Sequence, residues 1–305
     1  MIKALKDNEC PGCGQSSWDV LYRGPIRDGS FGKMTKDPVD VIECRVCGVG
    51  RLATFQIVAD DYKSSNYRLM YNDTEEPDQI LGMHDSEQAK RMDLIGVENI
   101  RNETIIDFGC GHGAFLDCAK GVAARTIGIE PFEGIRKSLS RRGHEIFPSS
   151  KEIPSQLIGN AGVVTSFGVI EHLEDPFSHL VEMWSTLREG GRLVLQTDNL
   201  NDYLMVSKAR EYNEFFFRSA HNWYFAPKNI EMMCDRAGII GAHVSTSHEF
   251  DFSNFMHWHR DAQPSGLRGS SGLGAVFESS WKAALEVAGY GNLITLVAVK
   301  NGSRD

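Results

Sequence analysis

Residues 104–113 restrict the fold of this chain more than any other stretch, reading Thr-Ile-Ile-Asp-Phe-Gly-Cys-Gly-His-Gly. The apolar pair Ile105 and Ile106 ends in an acid, Asp107, after which Gly109, Gly111 and Gly113 alternate. Ala114, Phe115, Leu116, Cys118 and Ala119 then follow at helical spacing. This pattern is a buried strand, a tight turn and the start of a helix. Glycine tolerates positive φ and lets a ligand approach the backbone. The first turn of the helix adds N–H groups that have no partner within it. In an open α/β sheet the ligand site is expected at the carboxyl end of such a strand.

The same unit recurs down the chain. Arg125 to Ile129 is a second short strand, ending in Glu130, 21 residues beyond Gly109. An acid at about that spacing can accept both hydroxyls of a ribose; the alternative is an ordinary acid at a helix start. Ile135, Leu139 and Arg142 continue as a helix, and His144 to Phe147 is a third strand before Pro148, Ser149 and Ser150. Ala161 to Phe167 is a fourth, running into Gly168-Val-Ile-Glu171-His172. Pro176 starts a helix striped by Phe177, Leu180, Val181, Trp184 and Leu187, which Gly190 and Gly191 stop. Arg192 to Thr197 is a fifth strand, ending at Asp198. Strands alternating with helices imply an α/β fold with a doubly wound parallel sheet. A helix over 227–237, a strand over 239–250, a flexible loop over 263–274, a helix over 275–288 and a strand over 293–299 complete it.

The rest of the sequence bounds the context. A chain of 305 residues is one large or two modest domains, and 41% hydrophobic with 24% charged residues is ordinary for a globular enzyme. The net charge of −9 argues against a protein that coats nucleic acid or an anionic membrane. Nucleic acid is therefore not expected as a partner. No apolar run reaches the roughly 18–20 residues a bilayer span needs, and residues 1–7 lack a signal-peptide core. The cytoplasm is the expected compartment, with reduced cysteines.

Cys10-Pro-Gly-Cys13-Gly and Cys44-Arg-Val-Cys47-Gly form an internal repeat. Two C-x-x-C pairs with trailing glycines suit a closed, tetrahedral, structural Zn2+ site made by Cys10, Cys13, Cys44 and Cys47; four unrelated thiols are the alternative. Residues 1–58 are expected to be a small β-rich zinc ribbon whose metal supplies much of its folding energy. Residues 59–305 form the main domain. Residues 59–97 turn polar and helical, and Tyr62, Tyr67 and Tyr71 are either a packing stripe or a lid over the ligand. Residues 200–226 crowd Tyr203, Tyr212, Phe215, Phe216, Phe217, Trp223, Tyr224 and Phe225 into one insertion. That insertion could roof an acceptor pocket, or pack a helical hairpin or a dimer contact.

Asp107-Phe-Gly-Cys-Gly-His-Gly113, Glu130, Val169-Ile-Glu-His-Leu173 and Leu187-Arg-Glu-Gly-Gly-Arg-Leu193 resemble the class I S-adenosylmethionine methyltransferases, over roughly residues 60–300. The cysteine pairs, with His221-x-x-Tyr224-Phe225, make the chain similar to methyltransferases acting on deoxysugars of nucleotide carriers, sugar C-methyltransferases among them. The resemblance implies that Asp107, Gly109 and Gly111 hold the methionine part of S-adenosylmethionine and that Glu130 holds the ribose. Ser149 or Ser150 would lie near adenine, and Phe167 and Gly168 would flank the methyl donor. Tyr67 is a candidate for cation–π contact with the sulfonium.

His221 is the first candidate base and His172 the second, with Glu171, Asp198 and Tyr224 placed at the acceptor. Where sugar C-methyltransferases tend to carry Tyr-His-Glu-His, this chain has Arg-Ser-Ala-His at 218–221. Three of four polar groups for carbanion chemistry are absent. The expectation is therefore transfer to oxygen or nitrogen of a small-molecule acceptor, a sugar or nucleotide-linked sugar, with sugar C-methylation as the alternative. An NAD-dependent oxidoreductase is a more distant reading, since Ala114 stands where G-x-G-x-x-G continues. A zinc-ribbon binding or scaffold protein is another, and the intact Asp107, glycines and Glu130 argue against it.

Overall fold

The computed structural model describes residues 8–29, 32–64, 77–209, 211–265 and 272–301. At the N-terminal end, β1 (Trp18–Gly24), β2 (Val39–Cys44) and β3 (Gly50–Leu52) pair antiparallel in sequence order. A 19-residue helix, Pro77–Ile95, leads into the second part of the chain. There follow β4 (Thr104–Phe108), β5 (Arg125–Ile129), β6 (Glu145–Phe147), β7 (Ala161–Phe167), β8 (Leu187–Asp198), β9 (Trp223–Tyr224), β10 (His243–Ser247) and β11 (Leu293–Val299).

The larger sheet has the order β10-β11-β8-β7-β4-β5-β6. β4 pairs parallel with β5 on one side and β7 on the other, while β11 is antiparallel to both β8 and β10. The expected doubly wound α/β sheet is present, with its last strand reversed. The chain leaves β4 towards β6 and returns to β7 on the opposite side, which opens a crevice at the carboxyl ends of β4 and β7. Both strands are covered on both faces, and this is why they read as unbroken apolar runs.

The glycine turn is shaped by sterics. Gly109, Gly111 and Gly113 all have positive φ, at 73°, 53° and 79°. A Cβ on Gly109 would lie 2.4 Å from Val169 Cγ2, so the turn is pressed against the segment that follows β7.

The insertion at 200–226 is built differently from a simple roof. β9 adds to the N-terminal sheet beside β3, with Gly50 opposite Tyr224 and Arg51 opposite Trp223. Tyr212, Phe216, Phe217 and Tyr224 share one buried cluster with Val41 and Leu52 of the N-terminal strands and Ile26 of the loop after β1. Most of the aromatic surface therefore faces the N-terminal sheet, and Tyr212, Phe215 and Phe216 are the aromatics of this insertion that reach the cleft described below.

The cysteine pairs are likewise anchored. Asn229 donates to the Cys47 carbonyl at 2.6 Å, and Arg236 donates to the carbonyls of Cys10 and Pro11, both from the helix Pro227–Arg236. Cys10, Cys44 and Val49 lie in the same buried cluster as Trp223, Met233 and the core of the large sheet. Among the described residues no helix is long and apolar enough to cross a membrane.

Candidate active site

Two groups of side chains meet at the crevice. On one side, Asp107 ends β4 with its carboxylate buried, accepting from the Thr165 hydroxyl of β7 at 2.7 Å. Burial pushes its carboxyl up to about 7, against the pull of Thr165 and of the Arg91 charge. A cationic ligand beside it would relieve that cost, and a ligand carrying an ammonium group fits such a site. Glu130, at the end of β5, is also buried, and its Oε1 accepts from the Phe132 N–H at 2.8 Å. One carboxylate oxygen is thus committed to the start of the next helix. Ser149 follows β6, with its hydroxyl 3.4 Å from Glu152. Phe167 stands edge-on to Phe115 at 5.2 Å, under the Arg91 guanidinium at 4.4 Å. Tyr67 and Tyr71 lie outside the described residues.

On the other side is a cleft of about 830 Å³, lined by Gly168, Glu171, His172, Asp198 and His221. The sequence reading gave these five residues three roles, Gly168 at the donor, His172 and His221 as bases, Glu171 and Asp198 at the acceptor, and the structure brings them to one wall. Glu171 Oε2 accepts from Thr197 at 2.8 Å, and burial together with the Asp198 charge raises its carboxyl to about 7. His172 Nδ1 lies 2.8 Å from the Ala220 carbonyl and 3.1 Å from the Tyr62 hydroxyl. Burial lowers His172 to about 4. His221 meets it edge-on, ring centres 4.7 Å apart, with Nδ1 3.6 Å from Asp198 Oδ2. Burial, then the Arg218 and His172 charges, hold His221 well below its usual value. Both imidazoles are therefore neutral near pH 7 and present lone pairs.

Tyr224, expected at the acceptor, sits instead in the interior. Its hydroxyl accepts from the Arg218 N–H and donates to the Arg218 carbonyl, which shapes the loop that carries His221. The sequence reading also missed residues. Arg218 donates to Asp198 at 2.9 Å, and Arg27, Lys90, Arg91 and Asp202 line the cleft. Arg218 alone carried a signal, since it occupies the stretch where the chain departs from the sugar enzymes.

In the cysteine cluster, Cys10 Sγ lies 3.4 Å from Cys47 Sγ, and Cys13 Sγ 3.4 Å from Cys44 Sγ. These separations are far beyond the roughly 2.05 Å of a disulfide. They approach the edge of about 3.8 Å of a tetrahedron built on Zn–S bonds of about 2.3 Å.

The sequence signature of the family described as "Methyltransferase domain" matches residues 85–239, just over half of the chain. A tRNA U34 carboxymethyltransferase of Actinobacillus succinogenes is 36% identical over 141 residues, covering 42% of this chain and 41% of that protein. A protein of the same name from Vibrio parahaemolyticus is 27% identical over 163 residues, covering 48% of each. The chain thus spans less than half the length of these curated relatives. An S-adenosylmethionine-dependent methyltransferase of Archaeoglobus fulgidus shares the fold, with a TM-score of 0.50 and 14% identity over 77% of this chain and 98% of that one.

These relatives correct two expectations. The reading of a small-molecule sugar acceptor is overturned, because the curated relatives are named for modification of tRNA. The exclusion of nucleic acid falls with it. Net charge averages the whole surface and is silent on one cleft, and here four cations, Arg27, Lys90, Arg91 and Arg218, stand among the acids of the wall.

Proposed function

The chain belongs to the methyltransferase-domain family and is a class I S-adenosylmethionine-dependent methyltransferase, and from that premise we propose that its acceptor is a nucleoside of tRNA. The observation that carries this reading is the name shared by the matched relatives. A tRNA acceptor would also place the chain in the cytoplasm.

In this reading Asp107 takes the donor's ammonium, Gly109 and Gly111 admit its methionine part, Glu130 holds the ribose hydroxyls, and Ser149 lies towards the adenine. Phe167 and Gly168 border the methyl group. Transfer is an in-line displacement: an acceptor lone pair forms the bond to the methyl carbon, and the breaking C–S bond returns its electrons to sulfur. Alignment of the three atoms supplies much of the rate. The neutral imidazoles of His221 and His172 offer the lone pairs to which the acceptor's proton goes, and Asp198, held by Arg218, lies 3.6 Å from His221 Nδ1. Glu171 completes the acceptor wall. The cysteine cluster is assigned a structural Zn2+, in keeping with its sulfur spacing.

The test is incubation with unfractionated tRNA and methyl-labelled S-adenosylmethionine, followed by digestion and mass analysis of the nucleosides. One nucleoside is expected to gain a methyl group. Donor binding measured in the same preparation, with no label entering tRNA, would overturn the acceptor.

A further inference from the structure

The wall of the cleft holds a second set of metal-binding groups, separate from the cysteines. One donor atom each from Glu171, His172 and His221 lies within 4.8 Å of the others. Two imidazoles and one carboxylate in that arrangement suit a divalent first-row metal ion with coordination positions left open.

Their surroundings support ligation. His172 Nδ1 faces the Ala220 carbonyl at 2.8 Å, and a carbonyl can only accept. Nδ1 therefore carries the proton and Nε2 the lone pair, the arrangement found when a histidine ligand is oriented by a backbone carbonyl. Glu171 is oriented in the same way, its Oε2 accepting from Thr197 at 2.8 Å. His221 is buried, and its Nδ1 has no hydrogen-bond partner among the described residues, an arrangement that costs free energy unless something fills it. Asp198 Oδ2 lies 3.6 Å from that nitrogen and is paired with Arg218 at 2.9 Å, so the two charges offset each other beside the site.

We propose that Glu171, His172 and His221 bind a divalent first-row transition-metal ion whose open positions face the cleft, where it holds and orients an oxygen of the acceptor. The proposal rests on the functional reading for the placement of the acceptor at this wall; with the ion bound, the lone pairs of His172 and His221 are its ligands and no longer proton acceptors, and the acceptor oxygen, acidified by the ion, gives its proton to water. The ion's binding does not depend on which acceptor is used.

The test uses the whole chain as purified, with its cysteine cluster loaded. Metal is measured by elemental analysis, Co2+ is added, and its visible absorption is recorded. Metal carried plus Co2+ taken up is expected to sum to about two ions per chain, and the added Co2+ is expected to lack the charge-transfer band of thiolate ligation. Glu171→Gln and His221→Ala should each hold one ion, with affinity for the second weakened at least tenfold. Thr197→Val keeps all three ligands and should weaken the second ion about 10- to 100-fold. Retained S-adenosylmethionine binding shows that a variant is folded. One ion per chain in the wild type, a thiolate band on the added Co2+, or two ions surviving in both ligand variants would each overturn the site. None of these readouts involves tRNA, so failure here leaves the acceptor proposal standing, and the reverse.

Discussion

Asp202 shows how much a single side chain is conditioned by burial. Its carboxyl accepts from the Leu204 N–H at 3.0 Å and from the Tyr212 hydroxyl at 2.5 Å, yet burial still raises it to about 6. A raised acid disfavours the folded state once the unfolded chain ionises. Asp202 therefore removes stability as the pH climbs from about 4 to about 6, on the order of 2–3 kcal/mol in total, with no further change above that window. Asp202→Asn should flatten this part of the profile, and denaturant midpoints of both proteins between pH 4 and 7 check it; parallel profiles would refute the assignment. Glu130→Ala is the corresponding test of the donor crevice. Loss of charge-assisted hydrogen bonds worth roughly 1.5–3 kcal/mol should weaken S-adenosylmethionine about ten- to a hundredfold in calorimetry. Unchanged affinity would remove Glu130 from the ribose site. The residues read from the sequence as the donor half, Asp107, Gly109, Gly111 and Glu130, lie at or just past two successive strand ends, a placement that local pattern was enough to predict. Arg27, Lys90, Arg91 and Asp202 come to the cleft from distant segments. Their nearness is a product of folding that no spacing along the chain reveals.

At the scale of elements, the segment around β9 ties the N-terminal sheet to the wall of the cleft. Phe217 is fully buried between Tyr22 and Tyr224, with ring centres 5.2 and 4.9 Å away. Phe217→Ala should destabilise the chain by about 3–5 kcal/mol, read from urea denaturation. A change under about 1 kcal/mol would mean that the segment around β9 is not held through this ring. The aromatic insertion was visible in the sequence as composition, but its orientation was not. A strand of two residues has no period to recognise, and aromatic rings suit a roof and a core equally well. The large sheet was easier to read: β4 and β7 are buried on both faces, and continuous apolar runs of that length bounded by glycine have few other uses.

For the whole molecule, the shared cluster of Cys10, Cys44, Trp223 and Met233 means that the cysteine-bearing end and the large sheet should lose structure together. Removing the proposed Zn2+ with a chelator should lower the thermal midpoint of the entire chain in one transition. Scanning fluorimetry run alongside S-adenosylmethionine binding checks this, and two separated transitions would show independent units. The pairing of β3 with β9 also sets a timetable for biosynthesis. Gly50 and its partner Tyr224 are 174 positions apart, so at about 5–20 residues per second a ribosome needs roughly 10–35 s to supply the missing edge. Throughout that interval the nascent N-terminal segment lacks the cover under which the finished protein buries Ile26, Val41 and Leu52 completely. Apolar surface exposed for that long is open to aggregation until β9 emerges.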